Sequence, residues 1–253
     1  MKHIVVLLFL ITFSANAQFN NPEVNAIAIQ KDFSTWQNYQ IQKIMLSLDF
    51  VALDENSNRI SKDFFLNQLT LGNFIPIRLQ SNDSIIYYKL YKIQFNSDSS
   101  IKATIMQMAF DEYEHYKMEG NRFPKFHFSD LNGSIISNET MKDKIIVIKC
   151  WYIHCAACIK EFPDVNELVL KYNDRKDILF LSLAEDSPEQ LKLFLSKKTL
   201  LYSVVPDMKI YMNETLNLNA FPTHFIINKQ GKIIKILSNV ESLKVALEEE
   251  SKK

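Results

Sequence analysis

Cys150-Trp151-Tyr152-Ile153-His154-Cys155-Ala156-Ala157-Cys158-Ile159-Lys160-Glu161-Phe162-Pro163 follows directly on the apolar run Ile145-Ile146-Val147-Ile148. A β-branched run of that kind predicts a buried strand, and the residues after Cys155 predict a helix, which puts Cys155 at a helix N-terminus. Free N–H groups and the positive end of the helix dipole favour a thiolate there, and the thiolate is the attacking species in disulfide exchange. Cys158 falls one turn further along the same helix, close enough to close a disulfide with Cys155. The stretch therefore predicts a dithiol redox switch.

Working outward, the strand Lys144–Cys150 and the helix from about Cys155 to Tyr172, kinked at Pro163, are followed by a second buried strand, Ile178–Ala184. Ser187-Pro188-Glu189-Gln190 opens a helix with a capping box and proline at its first position. Tyr202–Val205 predicts a short strand, and Asp207 has the chemistry to cap the helix after it. Thr223–Ile227 and Lys232–Leu237 read as a hairpin across Asn228–Gly231, and Glu241–Glu249 as a closing helix. A smaller hairpin is expected around Asp130–Gly133. Strands alternating with helices give an α/β domain, one sheet between helices. Pro222, at the mouth of a buried strand, reads either as an edge proline or as a cis bond that turns the backbone of Phe221 toward a neighbouring site.

At 253 residues the chain is expected to hold two domains. Residues 1–17 read as a secretory signal: Lys2 and His3, the apolar run Ile4–Phe13, then Ala15-Asn16-Ala17. The mature protein is thus expected to be soluble and exported, for example periplasmic. Residues 18–121 form an expected N-terminal α+β domain plus linker. Its elements read as a helix over 22–38, a strand over Ile41–Leu53, a helix Lys62–Leu69 capped by Ser61, and an antiparallel meander over Asn73–Leu79, Ser84–Phe95 and Ile101–Met108. Ile85, Tyr87, Tyr91, Ile93 and Phe95 are assigned to its core, and the polar run 111–121 to a linker or short terminal helix. Its role is not legible. Lys+Arg 29 balances Asp+Glu 29, so nothing points to nucleic acid or an anionic membrane as partner.

Three cysteines are an odd number. A Cys155–Cys158 bridge closes too small a loop to stabilise a fold by chain entropy, so catalysis explains the spacing better than stapling. Cys150, in the apolar strand, reads as a buried inert thiol.

The order of Cys-x-x-Cys helix, kinking proline and late Pro222-Thr223 before a strand-turn-strand resembles the thioredoxin-like fold, a central mixed sheet flanked by helices. Trp151, Glu161-Phe162-Pro163, the helix at Ser187 and the turn Asn228–Lys232 look like the TlpA/ResA type of secreted thiol-disulfide oxidoreductase, over residues 122–250 of an expected domain 122–253. That resemblance implies that Cys155 attacks a substrate disulfide and Cys158 resolves the mixed disulfide, with no cofactor beyond the redox-active pair and no metal. It implies that Pro222 is the cis-proline, that Phe221 and Trp151 bind substrate, and that Glu161 serves the proton of Cys158. The implied partners are proteins carrying disulfides and a membrane electron donor that recharges a reductase.

Two positions depart from the family. His154 replaces the usual Trp before the first cysteine, and as an imidazolium it would lower the pKa of Cys155. Lys149 stands where thioredoxin carries a buried Asp; it can pair with Glu161, stabilise the Cys158 thiolate, or point away. The alternative reading is a copper chaperone on the same fold, with Cys155, Cys158 and His154 or His224 as ligands. Tyr152, three residues before Cys155, argues against a peroxidase, which places Thr or Ser there.

Overall fold

The computed structural model describes residues 21–253, so the signal segment expected at 1–17 lies outside the described residues. After a 3-10 turn at Ala28–Gln30, helix α1 (Phe33–Lys43) begins where the Asp32 carboxylate accepts the N–H groups of Ser34 and Thr35. Strands β1 (Val51–Leu53) and β2 (Arg59–Ile60) precede α2 (Lys62–Thr70), whose cap is the expected Ser61 accepting from Phe64 N at 3.1 Å. Strands β3 (Phe74–Arg78) and β4 (Tyr87–Lys92) lead into the long helix α3 (Ser99–Met118), opened by Asp98. The sheet order is β2-β1-β4-β3, with β1 and β4 parallel and the other pairs antiparallel.

Several expectations for this region are corrected. Ile101–Met108 is helix, not strand: Ile101, Ile105, Ala109 and Glu112 are buried at helical spacing. Of the two readings of the polar run, linker or short terminal helix, the helix holds for 111–118, as the end of α3. On β4 the fully packed positions are Tyr88 and Leu90, while Ile85 and Phe95 are exposed, so the core side of the strand is the opposite one. Between α1 and β1 the chain is irregular instead of extended from Ile41. There the Tyr88 hydroxyl donates to Lys43 O (2.7 Å) and accepts from Met45 N (2.9 Å), and Lys62 Nζ donates to Ser47 O and Leu48 O. Side chains thus satisfy the backbone that a sheet ladder would otherwise pair.

The second half starts with the hairpin β5 (His127–Ser129) and β6 (Ile135–Ser137). Then follow β7 (Ile145–Trp151), α4 (Ala156–Lys160), α5 (Phe162–Lys171), β8 (Ile178–Ala184) and α6 (Pro188–Leu195). Strand β9 (Ser203–Val205), a π-helical turn at Tyr211–Thr215, β10 (Thr223–Ile227), β11 (Ile233–Leu237) and α7 (Val240–Glu250) complete the chain. The sheet order is β11-β10-β7-β8-β9: β7, β8 and β9 run parallel, and β10 is antiparallel to both its neighbours. This is the mixed, helix-flanked sheet of a thioredoxin-like fold.

Pro163 does more than kink the helix: the chain breaks at Glu161 into α4 and α5, and Pro163 occupies the first turn of α5, where its missing N–H needs no partner. Asp207 caps nothing; its backbone sits at φ 59° and its N–H donates to Asp186 O.

The halves are joined by polar contacts as well as packing. Lys235 of β11 bonds Asp49 (2.7 Å) and Glu119 (3.0 Å), Ser238 donates to Glu112 (3.2 Å), and Gly120 N–H donates to Ile233 O (2.8 Å). Leu48 packs among the buried residues of α5, β7 and α7.

Candidate functional site

Strand β7 is buried along its whole length, and its C-terminal end delivers the dithiol. Cys155 is the N-cap of α4: its backbone is extended (φ −79°, ψ 93°) and its Sγ accepts the N–H of Cys158 at 3.1 Å. The two cysteines are joined as a disulfide with a Cα–Cα distance of 5.2 Å. They differ in access: Cys155 is 5% exposed and Cys158 0%. The loop ahead of them is held by Asp186, whose carboxylate accepts Ile153 N–H at 2.7 Å, and by Cys155 N–H donating to Tyr152 O at 3.1 Å.

Across from this loop the Phe221–Pro222 peptide bond is cis. Phe221 is half-buried and meets the Tyr152 ring edge-on, with centroids 5.6 Å apart. Ala220 O accepts the Thr223 hydroxyl at 2.7 Å, which ties the start of β10 to the loop.

Behind the dithiol lies a buried charged group of three. Lys149 and His224 are cross-strand partners in the β7–β10 register, so their side chains leave the sheet on the same face. Both converge on Oε2 of Glu161, Lys149 Nζ at 2.6 Å and His224 Nε2 at 3.0 Å. Oε1 of Glu161 accepts the N–H of Val240, the first residue of α7, at 2.8 Å. Of the three positions open to Lys149 from sequence, the structure takes the pairing with Glu161. Burial pushes the Glu161 carboxyl up, but the hydrogen bond and charge of His224, and then Lys149, outweigh it and bring the carboxyl down to about 2. Burial pulls His224 below its ordinary value, against the opposing hydrogen bond and charge of Glu161. Burial likewise lowers Lys149, against the opposing charge of Glu161. Both oxygens of Glu161 are thus engaged by hydrogen-bond donors.

The remaining expected site residues separate. His154 is exposed beside Cys155. Trp151 is not on a binding surface: it is fully buried, packed edge-on against Phe162 at 5.0 Å and near Phe194, with its indole N–H donated to Ser182. It points to the α5–α6 side because residues on β7 alternate faces and Trp151 shares that of Lys149. Cys150, on the opposite face, is a free buried thiol whose pKa burial pushes far up. His224, weighed as a copper ligand, is engaged by Glu161, and its partnership with Lys149 went unread. The alternation of β10 combined with the β7 register carries that signal, but the register is not visible in the chain. The Tyr152 wall was also missed, as was the contribution of the N-terminal half: a cavity of about 580 Å³ is lined both by Ala157 and Pro222 and by residues of α1 and α3.

No helix among the described residues is long and apolar enough to cross a membrane. Residues 120–236 match the AhpC/TSA family. The thiol-disulfide oxidoreductase ResA of Bacillus cereus (strain ATCC 10987 / NRS 248) is 32% identical over 151 residues, which cover 59% of this chain and 86% of that protein. The ResA of Bacillus subtilis (strain 168) is 26% identical over 121 residues, covering 47% and 67%. Among solved structures, the thioredoxin domain of a thiol-disulfide oxidoreductase from Bacteroides vulgatus is 21% identical with a TM-score of 0.47, covering 52% of this chain and 96% of that one. A thiol-disulfide oxidoreductase from Bacteroides fragilis NCTC 9343 is 20% identical with a TM-score of 0.47, covering 51% and 98%. With a helix-capping Cys155 bonded to Cys158 on a thioredoxin-like sheet, and with the kinship that covers most of the Bacillus cereus protein, the chain belongs to the ResA thiol-disulfide oxidoreductases.

Proposed function

We propose that this oxidoreductase is an exported reductase of protein disulfides in which Cys155 attacks and Cys158 resolves. The observation that carries the assignment of roles is the asymmetry of the pair: Cys155 caps α4 and keeps some surface, whereas Cys158 has none. In the reduced protein the Cys155 thiolate receives the N–H of Cys158 and the field of the α4 N-terminus, both of which favour the charged form. It attacks one sulfur of the substrate disulfide, and the other substrate sulfur leaves as a thiolate that takes up a proton. Cys158, deprotonated, then attacks Cys155 Sγ, releasing the second substrate thiol and leaving the Cys155–Cys158 disulfide. Two electrons pass from the dithiol to the substrate.

Pro222 and Phe221 supply the backbone edge against which the substrate chain lies, and exposed His154 adds positive charge beside Cys155 when protonated. Glu161, held by Lys149 and His224, acts as a fixed anion that sets the field under Cys158. The resting redox couple is the cysteine pair itself. Export rests on the N-terminal pattern Lys2–Ala17, and the reductase direction and its recharging by a membrane electron donor rest on the resemblance to secreted TlpA/ResA-type proteins. Equilibration of the purified protein with glutathione tests direction. A potential near or below that of thioredoxin, about −270 mV, supports a reductase; one well above it makes the protein an oxidant.

A further inference from the structure

The cavity beside the dithiol is built by both halves of the chain. On one side stand Ala157, between the two cysteines, and cis-Pro222; on the other stand Ile41 of α1, Ile44 and Met45 just beyond it, and Met108 of α3. Its volume of about 580 Å³ lies in the range of ordinary ligand sites, roughly 300–1,000 Å³. Ile41 is 73% exposed, a large apolar side chain left open at the wall of an active-site cleft. Met45 and Met108 are half-buried and unbranched, side chains that adapt to varied apolar partners. Gln40 and Ser47 also line the cleft, and Gln40 Oε1 and Ser47 Oγ are buried with no hydrogen-bond partner among the described residues. Such atoms suit the N–H groups of an entering peptide.

We infer that the N-terminal domain completes the substrate cleft, seating an apolar side chain that flanks the target cysteine of a polypeptide disulfide in the Ile41–Met45–Met108 wall beside Pro222. The occupant is a polypeptide because the Ile41–Met45–Met108 wall is apolar and continues from the cis-proline edge, and because the side-chain oxygens of Gln40 and Ser47 are acceptors for peptide N–H groups; a small charged disulfide such as glutathione disulfide brings no apolar side chain to that wall. The inference rests on the reductase reading, with the balance of sulfurs and electrons given above.

The test is single-turnover oxidation of the pre-reduced full chain by three disulfides: a peptide with Leu beside its cysteine, the matched peptide with Ser there, and glutathione disulfide. The Leu peptide is expected to react about tenfold faster than the Ser peptide, the scale of burying one such side chain. Ile41→Asp should abolish that preference, bringing the Leu-peptide and Ser-peptide rates together, and Leu170→Asp, on the exposed face of α5, should leave the preference intact. Equal rates for the two peptides, or loss of preference in neither variant or in both, overturn the inference while leaving the reductase reading standing. No reaction with any of the three disulfides overturns both.

Discussion

Lys149 Nζ lies 2.6 Å from Glu161 Oε2, a pair that links the central strand to the break between the two active-site helices, with the lysine fully buried. Because Glu161 also accepts from His224 and from the N-terminus of α7, the pair fixes the floor of the dithiol as well as its charge.

Lys149→Met leaves the carboxylate buried without its cation. Loss of about 3–5 kcal/mol of unfolding free energy is expected, the usual cost of removing one partner of a buried pair. The thiol titration followed by thiolate absorbance should shift upward, since the positive charge under the dithiol is gone and the negative one is uncompensated. An unchanged titration curve would show that the charge does not reach the sulfurs.

The depressed carboxyl of Glu161 has a direction in pH. Folded at about 2 against an ordinary 4.5, it contributes stability that is complete above 4.5 and is lost as pH falls from there toward 2. Glu161→Gln should therefore flatten that acid limb. Urea midpoints of the two proteins should differ most at pH 6–7 and converge near pH 2; parallel curves would contradict the ionised Glu161.

Glu112 has the opposite sign. Burial pushes its carboxyl up to about 7, so between 4.5 and 7 the folded chain holds a proton that the unfolded chain has released, and stability falls as pH rises through that window. Glu112→Gln keeps the acceptor for the Ser238 hydroxyl and removes the buried charge. It should stabilise the protein by about 3 kcal/mol at pH 8 and by nothing measurable at pH 4. Equal effects at both pH values would place the carboxyl in solvent.

Much of the second half was legible because its signals are local. The run Ile145–Ile148, the Ser187 capping box and the Asn228–Gly231 turn each specify one element without help from the rest, and the structure has all three. α3 was misread because Ile101, Thr104 and Ile105 are β-formers, although the spacing of Ile101, Ile105 and Ala109 is helical; period was the better guide than propensity. Within the site, the cysteines and Pro222 announce themselves through spacing and order. The Lys149–His224 partnership depends on which residues face each other across β7 and β10, and the Ile41–Met108 wall on how two halves pack, and neither is written in any one stretch.

The most direct measurement is covalent trapping: Cys158→Ser protein is mixed in the reduced state with a disulfide-bonded polypeptide, and the adduct is mapped by mass spectrometry. The roles assigned to the two cysteines predict a stable mixed disulfide through Cys155, absent when Cys155→Ser is combined with it. An absence of adduct, or a Cys155→Ser protein that traps through Cys158 equally well, would contradict them.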